Sequence, residues 1–139
     1  MSAQSFASYN SPAYFSIATY PGILTVETSE GHNWVMEYCD ESGTINKVNQ
    51  KSNTESESFG INVEGGIVYV KVYPLDASDS GYVSLFTTGA SSITVSEDGA
   101  SFFIVSPEPK TTQSGPQYPI GIISSIISLI IMVLFVRRQ

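Results

Sequence analysis

Cysteine, histidine and basic residues are scarce in this sequence, and each shortage excludes a class of site. The 139 residues include one cysteine and one histidine, and 13 acidic residues outnumber six lysines and arginines. A single cysteine excludes an internal disulfide, so the fold depends on its core. One cysteine and one histidine are too few ligands for a zinc site, and no basic patch is present to bind nucleic acid. We therefore expect no cofactor and no nucleic acid bound by the folded domain.

Charge is divided unevenly along the chain. Residues 1–118 contain all 13 acids and four lysines, a net charge of −9 (4 minus 13), whereas the two arginines give the C-terminal end +2. The first ten residues have neither the basic nor the apolar region of a signal peptide, so we expect none. The acidity is typical of a domain that stays soluble or is repelled by an anionic lipid surface.

The most apolar run of the chain occupies residues 120–136. It has no charge, and twelve of its 17 residues are Ile, Leu, Val or Phe. As a helix it would be about 25 Å long at ~1.5 Å per residue, against a hydrocarbon core of ~30 Å. Tyr118, Arg137 and Arg138 would then lie at the membrane interfaces. We interpret the run as one transmembrane helix and a bilayer as its partner; a buried C-terminal helix or strand is the alternative.

Small residues recur four apart within this predicted helix. Gly121 and Ser125 form one such pair, and Ser124 and Ser128 form another. This spacing lets helices approach closely, which favours packing against a second copy or another membrane helix. The arginines favour the cytoplasmic side and would place the remainder outside, but no signal peptide is expected to export it. The orientation in the membrane therefore stays open.

Short alternating apolar runs bounded by turn residues predict an all-β domain over residues 13–106. The clearest strand, residues 67–73, has three valines on one face and Tyr69, Lys71 and Tyr73 on the other. In residues 34–39 we expect Trp34 and Met36, with Tyr38, to face the core. Other predicted strands cover residues 13–17, 23–28, 44–48, 59–63, 81–87 and 92–96, the last paired with 101–105 across Asp98-Gly99. Eight or nine strands favour a two-sheet antiparallel β-sandwich.

The segments outside these strands have different compositions. Residues 1–12 are polar and serine-rich, and we expect them to be flexible. Residues 44–58 are the most polar stretch, and beyond the short strand at 44–48 we expect an exposed, mobile loop. Residues 107–119 contain four prolines and predict a semi-rigid stalk. Residues 137–139 form a short basic tail.

Catalytic and metal-binding hypotheses find little support in the residue pattern. His32 lies in a Glu-Gly-His-Asn turn, so an exposed turn histidine is favoured over a charge relay with Cys39 or a serine. No basic neighbour activates Cys39, which favours a half-buried structural thiol. Asp76 and Asp79, with Asp40 and Glu41, would bind calcium only if their loops met, and solvated turn acids are favoured. We expect no enzyme.

Three tyrosines on adjacent predicted strands are candidates for binding. Tyr69, Tyr73 and Tyr82 would form an exposed aromatic strip for a protein or sugar. Cross-strand packing of the same side chains is the alternative.

The order of several strand motifs resembles the bacterial and archaeal pre-peptidase C-terminal domains. The motifs are YFSI at residues 14–17, LTV at 24–26, WVMEYCDESGT at 34–44 and GIVYVKVYPLDASDSGYVSLF at 66–86. The resemblance covers about residues 13–87 and implies a jelly-roll-like β-sandwich that targets or binds surfaces without catalysis. Some relatives bind calcium or collagen, but this chain has no evident acidic cluster, and it adds a hairpin and an anchor.

The sequence thus predicts a single-pass membrane protein that displays a β-sandwich on a stalk. We expect a structural component that ties a surface layer or the shell of a membrane-containing virion to the bilayer. Its partners would be proteins of that assembly, and a second copy of this chain is one candidate. The alternative is a cell-surface module that binds a glycan or a protein.

Overall fold

Two antiparallel sheets pack face to face in the computed structural model, which describes residues 1–51 and 53–104. The four-stranded sheet has the order β1 (Ser2–Ser8), β8 (Ser80–Thr88), β3 (Gly22–Thr28) and β6 (Ser58–Val63). The five-stranded sheet has the order β5 (Ile45–Val48), β4 (Trp34–Cys39), β7 (Ile67–Pro74), β2 (Ala13–Thr19) and β9 (Ala90–Val95). A 3-10 helix follows at Glu97–Phe103. The predicted antiparallel β-sandwich is confirmed.

The strand pairing follows the jelly-roll pattern. β1 pairs with β8, β2 with β7, β3 with β6 and β4 with β5, all antiparallel. The eight strands are therefore one long hairpin, four strands out and four back, whose successive pairs alternate between the two sheets. β9 extends the five-stranded sheet beyond β2.

Alternating residues of both sheets fill the space between them. Val68, Val70 and Val72 of β7 are fully buried, as their period-two spacing predicts. Each such side chain stabilises the fold by roughly 1.5–3 kcal/mol relative to exposure. The largest fully buried side chains of the core are Trp34, Phe15, Ile17, Leu24, Met36 and Leu85.

β4 is buried more completely than its pattern predicts. Trp34 and Met36 face the core as expected, and Tyr38 is half-buried. Val35 and Cys39, which we expected on the opposite and less buried face, are also inaccessible to solvent. The reason is that the 3-10 helix packs on the outside of the five-stranded sheet against β2, β4 and β7.

The prediction of a flexible segment at residues 1–12 is wrong. Residues 2–8 form β1, which pairs along its whole length with β8, so the sandwich begins before Ala13. Ala7 is fully buried in the core. The backbone ladder to β8, rather than a run of large apolar side chains, holds this strand in place.

The predicted hairpin of residues 92–96 and 101–105 is also wrong. β9 pairs with β2, and residues 97–103 form the 3-10 helix. The Ser96 hydroxyl accepts a hydrogen bond from the Asp98 amide and caps the start of this helix. Gly99 is buried against the Tyr69 ring, and Phe103 packs near Tyr14. These contacts to the sheet favour the helix over a hairpin turn at Asp98-Gly99.

The polar stretch at residues 44–58 is more fixed than a mobile loop. β5 lies within it, and Glu57 is only 1% exposed. The Glu57 carboxylate accepts hydrogen bonds from the amides of Gln50 at 2.9 Å and Lys51 at 2.7 Å. The Glu57 amide in turn donates to the Thr28 hydroxyl at 3.0 Å. A buried acid therefore joins the described part of this stretch to β3.

The predicted stalk, transmembrane helix and basic tail, at residues 107–119, 120–136 and 137–139, lie outside the described residues. In the part of the chain that the structure describes, no helix has the length and apolar character to cross a membrane.

Candidate interaction surface

The three tyrosines predicted to form one strip lie on two different sheets. Tyr69 and Tyr73 project from β7 on the outer face of the five-stranded sheet. Tyr82 projects from β8 on the outer face of the four-stranded sheet. The strip as predicted is therefore not formed, and whether any of these tyrosines binds a partner stays a prediction.

Tyr69 and Tyr73 are engaged in contacts within the domain. Tyr69 stacks on Phe102 of the 3-10 helix, with ring centroids 5.0 Å apart. The Tyr73 hydroxyl lies 3.5 Å from Oε1 of Glu37, which forms an ion pair with Lys71 at 3.1 Å. Burial, and then the Glu37 charge, raises the pKa of Tyr73 to about 12. Packing within the domain, against the 3-10 helix for Tyr69 and across strands for Tyr73, accounts for both side chains.

Tyr82 belongs to a different group of aromatic side chains, which we call the aromatic face and define as Phe6, Tyr82 and Phe86. Their exposed fractions are 50%, 66% and 49%. Phe6 and Tyr82 are directly paired across β1 and β8, and their rings meet edge to face at 5.3 Å. Phe6 was not predicted as a candidate because residues 1–12 were expected to be flexible; it is the only large apolar residue of β1. Exposed aromatic groups of this kind are typical of interaction sites.

An open depression of about 900 Å³ adjoins the aromatic face at Phe86. Its lining includes Tyr38 and Phe59, whose rings stack across the two sheets with centroids 4.0 Å apart. Thr87 also lines it, and its hydroxyl is buried without a hydrogen-bond partner among the described residues. The volume lies within the range of small-molecule pockets, roughly 300–1,000 Å³.

His32 is half-buried and hydrogen-bonded to Asp79, and not the exposed turn histidine that we expected. Its Nδ1 lies 2.9 Å and 3.1 Å from the two carboxylate oxygens of Asp79, and its ring centroid is 4.8 Å from that of Trp34. Its Nε2 faces the backbone of Gly81, where a side chain would overlap the ring. Among the described residues no hydrogen bond joins His32 to Cys39 or to a serine hydroxyl. The pair therefore links the loop before β4 to the loop before β8 and lacks the geometry of a relay.

The Cys39 thiol is buried in β4. Burial, and then the neighbouring Asp40 carboxylate, raises the pKa of this thiol. A raised pKa leaves less of the reactive thiolate at neutral pH. Cys39 is thus placed as a structural residue.

The turn acids accept hydrogen bonds from their own or neighbouring turns. Asp40 accepts hydrogen bonds from the Ser42 hydroxyl and from the amides of Ser42 and Thr44, and these bonds lower its pKa. Glu41 accepts hydrogen bonds from the Glu64 and Gly66 amides at 2.7 Å and 2.5 Å. Asp76 similarly caps Ser78. In residues 1–51 and 53–104 no three acidic, histidine or cysteine side chains are placed to hold a metal ion.

The membrane-related candidates are not part of this surface. The predicted helix-packing residues Gly121, Ser124, Ser125 and Ser128 lie outside the described residues, as do the predicted interface residues Tyr118, Arg137 and Arg138. Their roles stay predictions.

Comparison with known proteins supports the fold and leaves the function open. No family model and no curated protein matches the chain. Among solved structures, the chain is similar to the pre-peptidase C-terminal domain of a collagenase from Bacillus anthracis, with a TM-score of 0.50 and 13% identity. The match covers 63% of this chain and 88% of that domain. The two share a fold.

A second solved structure is similar to a lower degree. It is PliG of Aeromonas hydrophila, a periplasmic inhibitor of g-type lysozyme, with a TM-score of 0.38 and 16% identity. The match covers 67% of this chain and 86% of that one. The collagenase domain alone confirms the predicted resemblance to pre-peptidase C-terminal domains, and only for the fold of the sandwich.

Proposed function

We propose that this protein is a non-enzymatic structural component that ties a surface assembly, a surface layer or the shell of a membrane-containing virion, to a lipid bilayer. The observation that carries the proposal is the aromatic face. Tyr82, Phe6 and Phe86 stand exposed on a sheet whose inner surface is fully used by the core. Exposed aromatic side chains are enriched at protein interfaces, where they supply much of the binding energy.

Two further features support this proposal. The sequence places a charge-free run of 17 residues after a proline-rich segment, which is the arrangement of a sandwich on a membrane-bound stalk. The jelly-roll pattern occurs in viral capsid proteins and in lectins, so the fold agrees with the proposal without deciding it. His32 and the turn acids Asp40, Glu41, Asp76 and Asp79 have hydrogen-bond partners, and the Cys39 thiol is buried, which supports a binding role over catalysis.

The test uses purified envelopes or particles that contain the full chain. We expect the protein at a fixed ratio to the other major components and a loss of incorporation for Tyr82→Ser. Tyr20→Ser is the matched control, because Tyr20 is 62% exposed but is not part of the aromatic face. A variable ratio to those components, or normal incorporation of Tyr82→Ser, would refute the structural role.

Proteinase protection in vesicles of known sidedness determines the orientation. In right-side-out vesicles a domain on the outer side is digested, whereas a domain that faces the cytoplasm is protected until the membrane is opened.

The alternative function is a cell-surface module that binds a glycan, and the depression beside Phe86 is the observation that favours it. Aromatic rings next to polar side chains suit the apolar faces and hydroxyl groups of a sugar. Glycan binding by the full chain that is lost in Phe86→Ala but retained in Tyr20→Ala would support this reading. No binding to any glycan would leave the structural role.

A further inference from the structure

β1 is an open sheet edge whose free hydrogen-bonding groups can be assigned residue by residue. The backbone groups of Met1 and Thr87 exchange two hydrogen bonds, at 2.9 Å and 2.8 Å. In an antiparallel pair such exchanging positions alternate with positions whose groups point away. With the observed register, Ala3, Ser5 and Ala7 bond to β8, whereas Ser2, Gln4 and Phe6 direct their N–H and C=O groups outward.

These outward groups lack backbone partners in the described part of the chain. β1 pairs with β8 alone. The Ser8 backbone bonds to Ser11 at 3.0 Å and 3.2 Å, which ends the free edge at that point. The Phe6 carbonyl has a contact of 3.4 Å from the Ser5 hydroxyl, which is a long hydrogen bond. Three donors and three acceptors therefore face outward over five residues.

β1 also lacks the features that protect the two edges of the five-stranded sheet from pairing. Proteins commonly shorten such strands or add charges, proline or bulges. β5 has four residues and contains Lys47, and the pairing of β9 is interrupted by a register shift at Ala18 and Thr19. β1 has seven residues and no charge or proline, and the adjacent strand β8 is uncharged as well.

We propose that β1 of one copy pairs antiparallel with β1 of a second copy, about a two-fold axis at Gln4. The inference deepens the proposed function, on which it rests, by naming a second copy as one partner of the assembly. This register places Ser2 opposite Phe6 of the other copy and satisfies all six outward groups of each strand. An interface of this kind is self-complementary, as two-fold dimers require.

Charge favours a second copy as the occupant. The domain is strongly acidic, so two copies repel each other over most of their surfaces. The adjacent strands β1 and β8 form a neutral strip on which two copies meet without opposed carboxylates. On the outer surface, Phe6 of one copy would lie between Tyr82 of its own β8 and Ser2 of the other copy. In that other copy, Ser2 is paired with Phe86 of β8. Pairing thus joins the two aromatic faces into one band.

The test measures distances between nitroxide labels in the full chain, in detergent and in vesicles, on a Cys39→Ala background. With Gln4→Cys on the axis, the labelled Cα atoms are expected about 5.5 Å apart. With Ser2→Cys they are expected about 14 Å apart, because four residues at ~3.4 Å separate the two positions along the strand. Asn62→Cys, on the opposite edge strand β6, is the control and is expected about 30 Å apart or more.

A proline variant tests the ladder itself. Gln4→Pro removes an outward N–H and leaves the β1–β8 bonds intact, so circular dichroism should be unchanged while the coupling of the Ser2→Cys label is lost. The edge pairing would be overturned by any of three results. These are no coupling between labels at position 4, coupling at position 62 as strong as at position 4, or coupling of the Ser2→Cys label that survives Gln4→Pro. Flotation with vesicles, scored on the same samples, separates the two ideas: unpaired but floating protein overturns the pairing alone, and non-floating protein overturns the proposed function.

Discussion

The buried Glu57 carboxylate provides the sharpest test of how the polar stretch at residues 44–58 is held. It accepts two backbone hydrogen bonds, from Gln50 and Lys51, and only 1% of the residue is exposed. Hydrogen bonds to a charged group contribute roughly 1.5–3 kcal/mol each. Glu57→Ala removes both bonds, but it also removes the cost of desolvating the carboxylate. We therefore expect the free energy of unfolding to fall by about 3 kcal/mol. For a domain of this size that loss lowers Tm by about 12–24 °C.

Urea unfolding of the full chain in mild detergent measures this loss. Trp34 is the single tryptophan and is fully buried, so its fluorescence reports on the core directly. Glu57→Gln retains one acceptor and places an NH₂ group against the second amide, so its stability should fall between those of the wild type and Glu57→Ala. Glu55→Ala, at an exposed position of the same stretch, should change stability by less than about 0.5 kcal/mol. Glu57→Gln at wild-type stability, together with a loss below about 1 kcal/mol for Glu57→Ala, would refute the reasoning.

Three further predictions concern the turns and the thiol. Gly89→Ala should lower the free energy of unfolding by at least about 3 kcal/mol, because φ is +80° and a Cβ would overlap a carbonyl oxygen of β3. Gly43→Ala, at φ +83° in open space, should lower it by only roughly 1–2 kcal/mol. Urea unfolding measures both losses, and equal values would contradict this. Cys39 should react with a maleimide only after denaturation, as measured by mass spectrometry, because burial shields the thiol and raises its pKa; rapid labelling of the folded protein would be the contrary result. Hydrogen bonds to Asp40, chiefly from the Ser42 side chain and then from backbone amides of the same turn, lower the pKa of its carboxyl group. Asp40 therefore contributes to stability above its unfolded pKa of about 3.9, and this contribution is lost as pH falls through the folded pKa. Unfolding of Asp40→Asn should therefore depend less on pH in the acid range than that of the wild type, and an unchanged dependence would count against this.

Alternation predicted most strands because it reflects the burial of every second residue. β7 contains three valines that fill the core and two tyrosines that do not, and its bounds were predicted almost completely. β1 escaped prediction because Ser, Ala and Gln give no apolar period, and its strand conformation depends on pairing with β8 more than 70 residues away. Such a ladder is invisible to a local pattern.

The conformation of residues 97–103 was mispredicted because it depends on tertiary packing. Asp98-Gly99 is a strong hairpin signal by itself. In the fold, Gly99 fits against Tyr69, and Phe102 stacks on the same ring. No local pattern of residues 97–103 indicates that a tyrosine of β7 lies beneath them.

The candidate surface was predicted only in part. Alternation correctly placed Tyr69, Tyr73 and Tyr82 away from the core within their own strands. It carries no information on which sheet each strand joins, so the division of these tyrosines between two outer faces was not predictable. The pairing of His32 with Asp79 joins residues 47 positions apart and depends equally on topology.

The central claim is that the chain is tied to a bilayer, and flotation tests it most directly. Full-length protein is mixed with vesicles, washed with alkaline carbonate and centrifuged through a density gradient, alongside a variant with Ile126→Arg and Ile130→Arg. Each arginine near the centre of a span opposes insertion by about 2.5–3.5 kcal/mol, so two should abolish it. We expect the wild type to float with the vesicles after the wash and the variant to stay at the bottom. Wild-type protein that stays at the bottom, or a variant that floats equally well, would contradict a membrane anchor at residues 120–136.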